Sequence, residues 1–334
     1  MNKKKWLVLL VLSLAALVAA YFLLNNFAPI KLRRLALTGV MLGCIYGLIA
    51  LGYSLIYKAS GLMSFVQGDI MTLGAFLGLS FFNLFRNLFG TAEKGQSSLG
   101  TFILSVGLTT VVAFFFGVLL EKGAIRKLLN KNVLAIYVVL ATIAISYIIQ
   151  NGAQLVWGGI PLPVPSVFKV ITVKVMGVGI QPEMILCVVL SAICMIILHF
   201  FMTKTRIGTS MRAAAMDAKA AEACGIDVSL STGMTWGMAA GLAAIAGILI
   251  GPIYGVFTML GANIGRKGFS AAVIGGYGNM YGAMVGGIIL GLAETFVAGY
   301  ASSTLKNLIA YILLIAFLFI KPTGLFNERA IQDV

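Results

Sequence analysis

Residues 35–57 read Leu35-Ala-Leu-Thr-Gly39-Val-Met-Leu-Gly43-Cys-Ile-Tyr-Gly47-Leu-Ile-Ala-Leu-Gly52-Tyr-Ser-Leu-Ile-Tyr57. No charge interrupts this stretch, and three of its glycines recur at every fourth position. A helix needs about 20 apolar residues to cross the hydrocarbon of a bilayer, so the stretch reads as a membrane-crossing helix. Glycines four apart share one helix face. A face without side chains lets a second helix backbone approach closely, which is how helices gain contact in lipid.

Nine further apolar runs follow the same rule, at about 6–24, 62–85, 99–120, 133–156, 184–201, 229–250, 254–277, 280–299 and 305–320. The 334 residues are 60% hydrophobic and 10% charged. A soluble domain is nearer 45–50% apolar and about 25% charged, and disordered chains are poor in apolar residues. The expected fold class is therefore an all-α polytopic membrane protein with about ten transmembrane segments, eight at the fewest. The run 254–277 carries Asn263, Arg266, Lys267 and six glycines, and reads as a broken or re-entrant segment. Such backbone is tolerated at membrane depth only where protein or a water-filled path surrounds it.

The first run follows Lys3, Lys4 and Lys5 and ends near Ala19-Ala20, as a signal peptide does. Its apolar stretch is longer than the usual 7–15 residues of a signal, which favours a retained helix. Residues 1–34 then form an N-terminal helix and juxtamembrane segment, 35–326 the transmembrane domain, and 327–334 a tail. Lys122, Arg126, Lys127 and Lys131 in 121–132, and Lys204, Arg206, Arg212 and Lys219 in 202–228, place those loops on the cytoplasmic side. The outer loop 157–183 opens on Pro161, Pro163 and Pro165 and continues into a β-branched stretch with Gly177 and Gly179, a small hairpin. Lys31, Arg33 and Arg34 fall on the outer side and fit only as an interfacial helix, or if the first run does not span.

The net charge of +14 sits between apolar runs without an aromatic-interleaved basic stripe, so no nucleic acid is expected as a partner. Four cysteines form no CxxC pair, and a single histidine, His199, supplies neither a metal site nor a triad. No metal or catalytic residue is expected.

Glycine ladders recur at Gly39, Gly43 and Gly47, at Gly233, Gly237 and Gly241, at Gly247, Gly251 and Gly255, and at Gly278, Gly282 and Gly286. They read as helix-packing surfaces; the alternative is a path that changes shape. A faint echo links 61–75 with 268–283, as internal repeats do in transporters. Acidic groups inside apolar runs are costly and informative. Asp69, beside Gln67, reads either as a cap on the helix that begins at Ile70 or as a polar turn near a substrate path. Glu294 lies mid-run and requires a partner.

The segment 202–228 is alanine-rich, with Thr209 or Ser210 as N-cap and Gly225 as terminator of one helix. Arg206, Arg212, Asp217, Lys219 and Glu222 keep it out of the bilayer. It reads either as a linker helix or as a helix presented to a partner's groove.

Gly208 through Ile226, ending Ala221-Glu-Ala-Cys-Gly225, resembles the coupling loop of ABC-importer permeases. The whole of 35–326 resembles the permease subunits of high-affinity branched-chain amino acid importers. Gly47 to Tyr57, Gly61 to Asp69, Ala272 to Ala283, and Lys321-Pro-Thr-Gly-Leu-Phe326 carry that likeness. The family usually has His-Gly-acid where this chain has Gln67-Gly68-Asp69. The resemblance implies an ATP-driven importer of branched-chain or hydrophobic amino acids in the cytoplasmic membrane of a bacterium or archaeon. Two ATPase subunits carry ATP and magnesium, with no cofactor in this chain. A second permease subunit, like or unlike, and an extracytoplasmic binding protein complete it. On this reading 206–225 contacts the ATPase, and Gln67, Asp69, Gly275, Gly276 and Glu294 lie on the path. The absence of any Gly-x-x-x-x-Gly-Lys-Ser/Thr loop agrees that the engine is another polypeptide. Permeases for urea and other small solutes share the family, and an ion-coupled transporter is the rival of a different class.

Overall fold

A computed structural model describes residues 29–89, 99–129, 134–165, 167–168, 172–175 and 177–326. The first apolar run and the C-terminal tail lie outside the described residues. Among the described residues, eleven principal helices and one hairpin follow in this order: α1 Pro29–Ser60, α2 Gln67–Leu88, α3 Leu99–Leu120, α4 Ala135–Trp157, β1 Val173–Val175, β2 Val178–Ile180, α5 Pro182–Lys204, α6 Arg206–Met216, α7 Ala218–Ala223, α8 Val228–Tyr254, α9 Leu260–Gly275, α10 Met280–Tyr300 and α11 Lys306–Ile320. Helix α3 continues through a π-helical turn, Glu121–Ile125, and a last turn, Arg126–Leu129.

Eight helices among the described residues are long and apolar enough to cross a membrane. The ninth apolar helix, α9, has 16 residues and spans about 24 Å at 1.5 Å per residue, short of the roughly 30 Å of hydrocarbon. The fold is the all-α polytopic one that the sequence indicates, with 254–277 as the discontinuous part.

Helices α1 and α8 are the most buried of the long helices, and each carries a glycine seam. Gly39, Gly43 and Gly47 of α1 face Leu292, Ile288 and Met284 of α10, so the two run antiparallel; Gly287 and Gly291 press back against Gly47 and Gly43. Gly233, Gly237 and Gly241 of α8 face Glu121, Phe114 and Thr110 of α3, also antiparallel. A Cβ at Gly43 or Gly291 would run into backbone, so the seam requires hydrogen there.

These seams expose a repeat. Helix α1 ends at Gly61, at φ +66°, and a non-helical return leads into α2; α8 ends at Gly255, at φ +75°, and a similar return leads into α9. Helix α3 packs on α8 as α10 packs on α1, and α4 covers α2 as α11 covers α9. The four helices α1–α4 therefore correspond to α8–α11 in inverted orientation, the arrangement of many transporters. The correspondence sets Gly61 against Gly255 and Gly68 against Gly261, not 61–75 against 268–283. Helices α5–α7 lie between the halves.

The basic loops and Lys321 gather at one end of the bundle, cytoplasmic by the positive-inside rule, and the hairpin lies at the other. The hairpin pairs Val173 with Ile180 and turns at Gly177, φ +82°. Its loop is fixed to the turn after α8 by paired backbone bonds between Leu162 and Val256, of 2.8 and 2.9 Å. Lys31, Arg33 and Arg34 do not form a separate interfacial helix; whether the first run spans lies outside the described residues. These three residues form the first turns of α1, which at 32 residues is about 48 Å long and overshoots the hydrocarbon. Lys31 Nζ lies 4.8 Å over the Tyr300 ring.

Gly43→Ile is expected to abolish the α1–α10 seam, seen as loss of a monodisperse peak in detergent chromatography. Gly107→Ala, on a helix face with nothing within 4 Å, should instead gain about 0.5–1 kcal/mol, read as a small rise in melting temperature.

Candidate functional site

Helices α2 and α9 both begin in the middle of the bundle. Gln67, the first residue of α2, donates from Nε2 to Ala239 O at 2.7 Å, near the midpoint of α8. Asp69 accepts the Ser146 hydroxyl, halfway along α4. The start of α9 meets the start of α2 at the same level: Gly68 and Gly261 lie backbone to backbone, and neither has room for a Cβ. A helix start inside a membrane leaves N–H groups without partners. Thr72 of α2 answers one of them, its Oγ1 accepting from Gly261 N at 2.8 Å.

Beside this crossing lies a cavity of about 380 Å³, walled by α1, α2, α4, α9 and α11. Tyr53, Phe65, Tyr147 and Phe269 form much of its apolar wall, and Asp69, Ser146, Gln150 and Arg266 supply polar groups. Asp69 is 3% exposed, and its Oδ1 has no hydrogen-bond partner among the described residues. It does not cap a helix that begins at Ile70: α2 begins three residues earlier, at Gln67, and no side chain caps it. Asp69 sits in the first turn, where the helix dipole favours a carboxylate. Arg266 is exposed on α9 and donates to Asn263 Oδ1 at 3.0 Å. A guanidinium at this depth is tolerated only toward water or protein.

Glu294 lies elsewhere. It is fully buried and accepts from Lys267 Nζ at 2.6 Å and Tyr46 OH at 2.8 Å, with Lys306 Nζ at 3.4 Å. This cluster ties α1, α9, α10 and α11 together. Gly275 and Gly276 lie at the cytoplasmic end of α9. There Gly275 abuts Gly282, and Gly276, at φ +112°, abuts the backbone of 323–326. Leu325 N and Phe326 N donate to Ile274 O and Gly275 O, both at 3.0 Å. Gln67 is buried against Gly52 and Ala239. Of the five residues read as path residues, only Asp69 borders the cavity.

The segment 202–228 holds two helices rather than one. Thr205 caps α6, its Oγ1 accepting from Gly208 N at 3.0 Å, three residues or more before the expected start. Asp217, extended at φ −152°, stops α6 and caps α7, accepting from Ala220 N at 3.0 Å. Gly225, at φ +79°, closes α7, with Ile226 N donating to Ala221 O at 3.0 Å. Asp227 then caps α8, accepting from Leu230 N at 2.9 Å. Met211 and Ala221 face inward, whereas Arg206, Arg212, Met216, Asp217, Lys219 and Glu222 are exposed. An ion pair anchors the neighbouring loop: Arg126 binds both oxygens of buried Glu121, at 3.0 and 2.5 Å, and donates to Ser229 O at 2.6 Å.

A discontinuous helix pair, a mostly apolar cavity with a few polar groups at mid-depth and an exposed capped helix pair at the basic end are features that suit a membrane permease. The family model for the branched-chain amino acid transport system permease component matches residues 35–318. The chain belongs to that family. It is 31% identical over 304 residues to the high-affinity branched-chain amino acid transport system permease protein LivH of Escherichia coli K12, covering 89% of this chain and 96% of that one. It is 32% identical over 301 residues to the corresponding permease protein BraD of Pseudomonas aeruginosa, with the same coverage. No solved structure matches the chain. As a member of the family the chain is a multi-pass permease component of a transport system, resident in the cytoplasmic membrane.

Sequence reasoning singled out Asp69 but not Ser146, Gln150 or Tyr53. Thr142, Ser146 and Gln150 are each four apart in a largely apolar run, and that shared face was the available signal.

Glu294→Gln leaves two lysines facing no counter-charge. The expected cost is about 3 kcal/mol, read as a lower melting temperature in detergent, and Lys267→Met in the same chain should recover part of it. Asp217→Ala removes the α7 cap. Amide exchange at 220–223 is expected to quicken by an amount equal to about 1 kcal/mol, with global melting unchanged.

Proposed function

We propose that the chain is the translocating subunit of an importer that carries branched-chain and other hydrophobic amino acids inward. Two ATPase subunits energise it, a second related permease chain completes the path, and a soluble binding protein delivers substrate at the hairpin end. The observation that carries this reading is the cavity at the α2–α9 crossing. It is mostly apolar, large enough for one aliphatic amino acid, and holds polar groups at a depth where only a solute path or protein tolerates them.

The exposed pair α6–α7 suits the ATPase contact. Its helices are held by their own caps, so a partner can push the pair as a body. Gly208 seats it on the backbone of Phe201 and Met202 at the end of α5, and α8 follows directly after Asp227. Closing of the ATPase pair would then reach α8 and, through the Gly68–Gly261 crossing, the two helix starts that border the cavity. ATP and magnesium reside on the ATPases in this scheme.

Reconstituted with its partners, the complex is expected to accumulate radiolabelled leucine only with ATP inside the accepting compartment, and an ionophore should not abolish uptake. Cysteines placed singly at Met216, Lys219 and Glu222 should crosslink to the ATPase. No crosslink at any of the three would refute the coupling assignment. Uptake that survives ATPase deletion and collapses with ionophore would establish an ion-coupled transporter instead.

A further inference from the structure

The cavity at the α2–α9 crossing holds two opposite charges that the protein leaves incompletely matched. Asp69 is 97% removed from solvent by its 3% exposure, accepts one hydroxyl on Oδ2, and has no partner on Oδ1 among the described residues. A buried acceptor without a donor costs about 1–3 kcal/mol, more when charged. Arg266 borders the same cavity, and among the described residues no carboxylate lies within ion-pair distance of it. Its neighbour Lys267 makes the contrast: it turns the other way along α9 and is neutralised by Glu294 at 2.6 Å. Two adjacent cations on one short helix thus have different fates, one matched within the protein and one left facing the cavity. Much of the remaining wall is aromatic and aliphatic, from Phe65, Phe269, Ile143 and Leu314, and its other polar groups, among them Gln150 and Ser270, are uncharged.

We propose that this cavity is a transient binding site for a zwitterion, with Asp69 receiving the α-ammonium and Arg266 the α-carboxylate, while the aromatic wall takes an apolar side chain. The proposal rests on the amino acid importer reading and adds the recognising groups. An ammonium supplies the donor that Oδ1 lacks, and a carboxylate supplies the planar acceptor that a guanidinium binds in bidentate fashion. An uncharged solute such as urea answers neither charge. An amino acid with a third charge leaves that charge against Phe65 and Phe269 without a partner, which is a strong ground for rejection. Arg266 is exposed and keeps contact with water, so its hold on a carboxylate is readily released.

The test uses the whole importer in proteoliposomes, with binding protein outside, ATP inside and radiolabelled leucine. Asp69→Asn and Arg266→Gln are each expected to lower import about tenfold or more, equivalent to about 1.4 kcal/mol. Import should fall further than ATP hydrolysis stimulated by loaded binding protein, because these charges are proposed to meet the solute and not the ATPase. Asp69→Glu and Arg266→Lys should retain most of the import. Unchanged import in Asp69→Asn and Arg266→Gln would overturn the proposal. So would equal loss in the charge-conserving variants, or failure of the Asn and Gln variants to assemble, since the side chains would then serve shape or folding. Failure of the parent complex to import leucine at all would instead overturn the functional reading on which the site rests.

Discussion

Direct contact between glycine backbones at Gly68 and Gly261 is the constraint on which the architecture depends. Two helices that start inside the bundle must each hide unsatisfied N–H groups and still leave room for a solute. Only residues without side chains let the starts cross closely enough for Thr72 to reach Gly261 N. The long helices α1 and α8 frame that crossing, and their own glycine seams, against α10 and α3, hold the frame at backbone distance. Lipid supplies no hydrophobic force between helices, so shape and close contact carry the packing. Larger side chains at Gly43, Gly68, Gly261 or Gly291 therefore threaten the whole assembly, whereas Gly107 carries no such burden.

The charged groups are disposed around this frame with different purposes. Glu294, Lys267, Lys306 and Tyr46 satisfy one another and join four helices. Glu121, Arg126 and Ser229 O do the same at the cytoplasmic end. Buried ion clusters of this kind add little net stability but penalise every arrangement that separates them. Asp69 and Arg266 do not belong to either cluster, and that difference is the ground on which the proposed ligand site rests.

Much of the helix inventory was legible in the sequence, because apolar length is a direct reading of bilayer thickness. Runs 99–120 and 280–299 match α3 and α10 within a few residues. The returns at 61–66 and 255–259 were hidden because Leu62, Met63, Phe65 and Val256 are as apolar as a helix; hydropathy records solvent, not backbone conformation. The weakness of 254–277 was legible from Asn263, Arg266 and Lys267. Asp69 was visible as an acid in an apolar run, but its pairing with Ser146 and its place opposite Arg266 depend on tertiary crossing and leave no local trace. The break at Asp217 was overlooked since alanines on both sides favour a continuous helix, and an aspartate can be a solvent-facing residue as readily as a cap. The inverted repeat was sought in residue similarity, whereas it resides in helix order and direction.

The caps Thr205, Asp217 and Asp227, with Gly225, have a consequence for how such proteins diversify. They let α6 and α7 fold from local hydrogen bonds, with Met211 and Ala221 as their few inward anchors. The outward residues Met216, Lys219 and Glu222 contribute almost nothing to holding the chain together. Evolution is then free to rewrite them without risking the membrane core. If this surface meets the ATPase as proposed, duplicated transport systems in one cell can drift apart there until each permease recognises its own motor, while the buried machinery stays the same.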